Sequence, residues 1–365
     1  KTTDEFANTT ELTLPNDADT GIDENDFTRG QSFYDLMIEV DPNNPNTVFV
    51  GGIDVFKSTS GGVSSDADVN PWTQISHWYG GTFVDKTYQY IHADQHSMTF
   101  ANNDSTKKLF GNDGGVYFSK TESDGTETAS SRNKNLNTSQ IYTIGVAPSE
   151  MFKDLDKTVN AYDISSYNVN SVSIKGMTDV IISGLQDNGS QLMANNSNAI
   201  SEATMVTGGD GAASMFSQNL SKPYSITNYV YNKSIRVLNY AALQLKYINS
   251  ESGSNGDFIT TQALDSNKGY LYSNYSKGGT YQIALFHDWD EFKVPFAPQK
   301  EVLTNALLTR NISALTVSTF DKDNSNLYAG LEDGNLIKIV IKSPTEQTYT
   351  KLTGSEFIGS ISDIE

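Results

Sequence analysis

The densest run of versatile side chains is His92-Ala93-Asp94-Gln95-His96, and three of the four histidines lie between residues 77 and 96. On a strand, alternate residues share a face, so His92, Asp94 and His96 are expected to project together. Two imidazoles and a carboxylate suit Zn²⁺ or Fe²⁺, yet i and i+4 on a strand lie about 13 Å apart. Metal–nitrogen bonds are only ~2.1 Å long, so one ion held by all three is not expected. A second set of candidates sits in acid-and-glycine turns: Asp113 in Asn112-Asp113-Gly114-Gly115, Asp187 in Gln186-Asp187-Asn188, and Asp210 in Gly209-Asp210-Gly211. Brought together from different strands, Asp94, Asp113, Asp187 and Asp210 would make an acidic site for Ca²⁺ or another divalent cation. With His92, His96 and Gln186 they could instead hydrogen-bond a sugar. The plainer alternative is that each Asp caps its own turn and each His is satisfied by backbone.

Aromatic side chains supply a second kind of chemistry. Trp78-Tyr79-Gly80-Gly81, Tyr88, Tyr90, Tyr270-Leu271-Tyr272, Tyr275 and Phe286-His287-Asp288-Trp289 recur beside polar or Gly-rich stretches. Exposed rings stack on sugars or anchor protein partners. At strand spacing Tyr270 and Tyr272 share a face and read as core, as do most of the others. Trp78, beside two glycines, is the expected exception.

Positioning such groups calls for many short strands. Helix signals are scarce, and short alternating apolar runs are punctuated by Asn, Asp, Gly and Pro clusters. Residues 36–60, 97–121 and 315–340 repeat one plan, with a partial copy at 179–193. An apolar strand enters a Gly, an acid-and-Gly turn follows, and an alternating strand leaves. Gly51, Gly111, Gly184 and Gly330 hold the same place, spaced 60, 73 and 146 residues apart. Reading the last gap as two units gives the repeat of a four-stranded propeller blade enlarged by insertions. Unrelated hairpins are the alternative. Residues 150–176 and 249–268 are polar and weakly periodic, and read as long loops. Residues 1–30 read as a strap or linker ahead of a propeller domain spanning 31–365.

Composition bounds the function. The 365 residues contain no cysteine, which excludes disulfides and thiolate metal sites. Lys and Arg number 25 against 44 Asp and Glu, a net charge of −19 with no basic cluster, which argues against nucleic acid as a partner. No apolar stretch reaches the ~18 residues of a spanning helix, and Lys1 to Phe6 lacks the apolar region of a signal peptide.

The segments 34–62, 90–119, 135–148, 184–190 (GLQDNGS) and 208–212 (GGDGA) resemble, in this order, secreted bacterial β-propellers with BNR or Asp-box repeats, related to sortilin-like and xyloglucanase-like propellers. The Asp-box pattern is altered here: Ser60 stands where its Asp would be, and Trp72 follows an insertion. The resemblance implies a secreted or cell-surface module of a larger polypeptide, of the kind Bacteroidetes export by the type IX route. It also implies a xyloglucanase-like catalytic role for Asp113, whose turn is similar to the family's Asp-x-Gly-Gly. The second carboxyl that an inverting hydrolase needs comes in those enzymes from a second propeller. A sialidase reading fails for want of an arginine triad.

The expectation is therefore an all-β chain, a single β-propeller of seven blades with six or eight also open, carrying long insertions. It would act as a binding or display module for a glycan or a cell-surface protein, require no cofactor, and have Ca²⁺ as the ion its acidic turns would take. Glycoside hydrolysis through Asp113 is the alternative.

Overall fold

The computed structural model describes every residue except 3–6, 20, 67–68, 80–87, 135, 137, 156–157, 161–170, 195–202, 319, 353, 355–358 and 365. Gly80 and Gly81, expected to expose Trp78, therefore lie outside the described residues. The chain divides into two compact units, Lys1–Thr138 and Ser139–Glu365. The described elements are strands apart from two single turns of 3-10 helix, Ala101–Asn103 and Val230–Asn232. Among the described residues no helix is long and apolar enough to cross a membrane.

The strands form six four-stranded antiparallel sheets among the described residues, two in the first unit and four in the second. Each sheet is a meander, which is the blade of a β-propeller. The fold class is thus the one expected, with six the number of four-stranded blades described. In the first unit, blade one comprises Met37–Val40, Val48–Gly51, Val55–Ser58 and Thr73–Gln74; blade two comprises Gln95–Phe100, Lys107–Asn112, Gly115–Thr121 and Glu127–Ser131. Phe49, Val55, Met98, Phe110 and Tyr117 fill the core between them. Thr13 and Phe27 contact blade one: the Trp72 indole N–H donates to Thr13 O at 2.8 Å, and Phe27 meets Phe56 edge-on at 5.8 Å.

In the second unit, blade three is built of Ile141–Val146, Val180–Leu185, Gly189–Ala194 and Ala203–Thr207. Blade four is Ser214–Phe216, Tyr224–Thr227, Ile235–Asn239 and Gln244–Asn249. Blade five is Gln262–Asp265, Tyr270–Asn274, Ile283–His287 and Gln299–Leu303, and blade six is Ile312–Ser318, Ser325–Leu331, Leu336–Ser343 and Glu346–Lys351. Three cores lie in series between these blades: Ile182, Leu192, Phe216 and Tyr240; then Ile226, Val237, Leu271 and Phe286; then Tyr272, Leu285, Leu327 and Ile339. Burying each such side chain stabilises by about 1.5–3 kcal/mol. Central strands touch a neighbouring blade on either face, so Tyr224–Thr227 is buried throughout rather than at alternate positions.

The repeat glycines occupy equivalent places in four separate blades, each at or one residue before the end of the second strand. Gly111 pairs with Ser97, Gly184 with Thr143 and Gly330 with Ala314, and in each case the first strand carries one extra residue just before the partner: His96, Tyr142 and Ser313. Such a bulge bends the strand and brings backbone close to its neighbour. A Cβ at Gly184 would lie 1.9 Å from the Ala212 carbonyl oxygen, and one at Gly111 would lie 2.6 Å from Ser97 Oγ.

Three expectations need correction. The gap between Gly184 and Gly330 holds two further blades, four and five, because Asn228 and Asn274 stand at or just past the end of the second strand where the pattern has Gly. Residues 150–176 are not merely a polar loop. They include a ribbon, Thr158–Asn160 paired with Ser171–Ser173, and bury Met151, Phe152, Val159 and Ile174 in the blade three core. Residues 249–268 likewise contain the first strand of blade five, Gln262–Asp265.

Candidate functional site

In the first unit, Asp113 tips the hairpin between the second and third strands of blade two. Asn112 Oδ1 accepts the Gly114 N–H at 3.1 Å, and Asn133 clamps the far side by accepting from Val116 N–H at 2.8 Å. The Asp113 carboxylate accepts the Tyr34 hydroxyl at 3.0 Å and faces His96 Nε2 at 2.5 Å. His96 reaches it because it is the extra residue of the bulge opposite Gly111. Tyr34 lies edge-on to the His96 ring at 4.9 Å.

The expectation that His92, Asp94 and His96 share a strand face is corrected by the backbone. The strand begins at Gln95, Asp94 turns the chain with φ of 63°, and the bulge follows at once. His92 packs instead on Gly114, where a Cβ would meet its Cγ at 2.2 Å. Asp94 nevertheless stays beside Asp113, their carboxylate oxygens lying within 4.8 Å.

Sequence reading missed Asp35. It is fully buried ahead of the first strand of blade one, and neither carboxylate oxygen has a hydrogen-bond partner. Burial, then the charge of Asp94, pushes its carboxyl up to about 7; Asp113 adds to the rise and His96 opposes it. A loop aspartate gives no sequence signal of burial, and only the proximity of Tyr34 to Asp113 in the fold reveals it.

Trp78 belongs to a different cluster. Its indole N–H donates to Asp19 Oδ2 at 2.9 Å, His77 Nε2 lies 2.9 Å from Asp19 Oδ1, and Arg29 bridges Asp17 and Asp19. Burial alone would raise the Asp19 carboxyl, but hydrogen bonds from Trp78, Arg29 and His77 outweigh it and hold it well below the usual range. Trp78 is thus a clasp on the N-terminal segment with part of its ring exposed. Nearby Asp54 is fully buried, yet it receives Ser76 Oγ at 2.8 Å and Gln74 Nε2 at 3.2 Å.

In the second unit, Gln186, Asp187 and Asn188 form the corresponding hairpin of blade three. The Asp187 N–H donates to Asp210 Oδ1 at 3.2 Å, and Gly189 N–H donates to Gly209 O at 2.7 Å, so these two turns brace each other. Gln186 is held by its backbone, whose N–H donates to Gln140 O at 3.0 Å.

Blades four to six of this unit also form a cleft of about 350 Å³ lined by Tyr231, Ser254, Asp257, Lys277, Tyr281 and Asn311. The Asp257 carboxylate accepts Asn311 Nδ2 at 2.9 and 3.0 Å and Asn274 Nδ2 at 3.0 Å. Tyr231 stands at the edge in the left-handed region, φ 56° and ψ 33°. The buried amide of Asn232 enforces this conformation: it donates to Asn255 O at 3.1 Å and Asn274 O at 2.6 Å, and accepts from Gln262 Nε2 at 3.1 Å. Sequence reading did not single out Tyr231, because its backbone is set by partners remote in the chain.

No family model matches the sequence, and no curated protein sequence matches it. Solved structures are similar to the chain at low identity. The WD40 repeats of RRP9 are 13% identical, with 90% of this chain and 83% of that chain covered and a TM-score of 0.39. An ancestral GH74 enzyme is 13% identical with a TM-score of 0.39; the match covers 94% of this chain but 40% of that one. A putative 6-phosphogluconolactonase from Bacteroides fragilis is 12% identical over 89% of this chain and 85% of its own, again with a TM-score of 0.39.

Proposed function

We propose that the chain is a non-catalytic binding module whose cleft in the second unit takes a glycan. The observation that carries this reading is the cleft's make-up. Tyr231 and Tyr281 offer rings to a sugar face, while Asn311, Ser254 and Lys277 offer donors to its hydroxyls. Asp257, the carboxylate there, accepts hydrogen bonds from two asparagine amides, which fix its orientation in the cleft.

The hydrolase alternative rests on Asp113, held between Tyr34 and His96. The neighbouring carboxyl with a raised pKa, Asp35, is fully buried and cannot reach a glycosidic oxygen. Export to the cell surface as part of a larger protein follows from the Asp-box resemblance. The resemblance itself is supported by the Ser58 turn, where the hydroxyl accepts Ser60 and Gly62 N–H at 3.2 and 3.0 Å, and by the placement of Trp72 against Gly62.

Titration calorimetry against soluble β-glucan oligosaccharides, beside a reducing-sugar assay, tests the proposal. Binding without turnover, weakened at least about tenfold by Tyr231→Ala, is expected for loss of one stacking ring. Turnover abolished by Asp113→Asn would establish the hydrolase, and binding unaffected at Tyr231 would remove the cleft from the account.

A further inference from the structure

The first unit contains a concentration of negative charge that the glycan cleft does not explain. Asp35, Asp94 and Asp113 act on one another, and Asp35 is wholly buried without a donor to either oxygen. An unpaired buried carboxylate costs several kcal/mol. The same unit shows what the fold does when it buries an aspartate for structure: Asp54 receives a serine hydroxyl and a glutamine amide. Around Asp35 the available groups are directed elsewhere. The Tyr34 hydroxyl and His96 Nε2 go to Asp113, and Arg29 goes to Asp17 and Asp19.

We propose that Asp94 and Asp113, backed by the buried Asp35, bind a hard divalent cation, Ca²⁺ by the oxygen chemistry of the site. Two oxygens on one Ca²⁺, each ~2.4 Å from it, lie at most about 4.8 Å apart. The Asp94 and Asp113 carboxylate oxygens fall within that span. Asp35 feels the charge of both, and its own charge complements an ion that the other two would hold directly. The bonds from Tyr34 and His96 fix the orientation of Asp113, as outer-layer partners of metal-binding carboxylates do. The backbone supports the same reading. Asp94 is held at φ 63°, and the bulge at His96 turns that ring to Asp113.

The test is calorimetric melting of the full chain in EDTA, then in millimolar CaCl₂ or MgCl₂, with a Ca²⁺ titration of the wild type. An ion that binds only the native state raises the melting temperature with concentration. A rise of several degrees in Ca²⁺, reversed by EDTA, is expected. Asp94→Asn should abolish it. Asp35→Asn should melt higher than wild type in EDTA, because it removes an unpaired charge, while its Ca²⁺ response falls at least tenfold. A structural role for Asp35 predicts the opposite sign in EDTA. Should Asp94→Asn fail to fold, the wild-type titration and the Asp35 variant still decide. Equal melting of the wild type in EDTA, Ca²⁺ and Mg²⁺ overturns the proposal, and a proton on Asp35 then accounts for the cluster.

Discussion

Asp35 in the first unit and Asp257 in the second receive opposite treatment from the chain around them. Both sit beside polar turns, but Asp257 collects amide N–H bonds from Asn274 and Asn311, whereas Asp35, more deeply buried, collects none. A saturated carboxylate is part of the scaffold and can only accept from what approaches it. An unsaturated one leaves a free-energy deficit that a proton or a cation can remove. The largest test of this contrast is pH. In chelator, Asp35 with a folded value of about 7 keeps its proton in the native state after the unfolded chain has released its own near 3.8. Its contribution is therefore complete below about pH 4 and is lost as pH rises to 7, worth at most roughly 4 kcal/mol for a shift of some three units. Asp19 behaves oppositely: its lowered carboxyl stabilises above the unfolded value and loses that contribution as pH falls. Denaturant melts between pH 4 and 8 should show wild type weakening relative to Asp35→Asn. Parallel curves would mean that Asp35 finds a partner in solution and that the contrast is false.

Gly111 in the first unit and Gly184 in the second also differ in how firmly glycine is required. At Gly184 the obstacle to a side chain is the Ala212 carbonyl, which is backbone and cannot move aside; at Gly111 it is the Ser97 hydroxyl, which can rotate. Gly184→Ala should cost about 3 kcal/mol and Gly111→Ala under about 1, the difference between overpacking a fixed and a yielding neighbour. Equal costs would show that the bulge geometry, rather than the particular neighbour, imposes glycine.

This requirement explains why four blades were legible in the sequence. Where the second strand closes on a neighbouring segment, as Gly184 does on Ala212, glycine is favoured, and glycine is visible. Blades four and five escaped because Asn228 and Asn274 stand in its place. A better signal was present in the turn between the first and second strands. Asp41, Asp104, Asn219, Asp265 and Asp321 each accept a backbone N–H two residues on, at 2.8 to 3.1 Å. That Asx turn marks every blade but the third, where the inserted ribbon replaces it. At the site, Asp113, His96, Asp187 and Asp210 could be nominated from turn chemistry and spacing. Asp35 could not, since burial of a loop residue is decided by what the rest of the chain lays over it.

Asp257→Ala sharpens the comparison from the saturated side. It removes three hydrogen bonds, while the buried Asn274 amide keeps Asn311 Oδ1 at 2.9 Å and Ile312 O at 3.2 Å, so unfolding in urea should reveal a loss of about 2 kcal/mol. Asp35→Asn, by contrast, should gain stability at neutral pH. If both substitutions destabilise, the two aspartates do the same work and the division into scaffold and site fails.

The smallest effect concerns Tyr231, whose left-handed backbone is imposed by Asn232 while its ring touches Phe258 edge-on at 5.5 Å. A side chain at such φ and ψ costs about 1–2 kcal/mol that glycine avoids. Tyr231→Gly and Tyr231→Ala both delete the ring, so their difference isolates the backbone, and the Gly variant should be more stable by about 1 kcal/mol. Both should lose glycan binding to the same extent. That outcome would mean the fold tolerates strain in order to keep an aromatic ring at the cleft edge. Should Tyr231→Ala instead match Tyr231→Gly in stability, the loop is not strained in solution and the ring's position there needs no ligand to explain it.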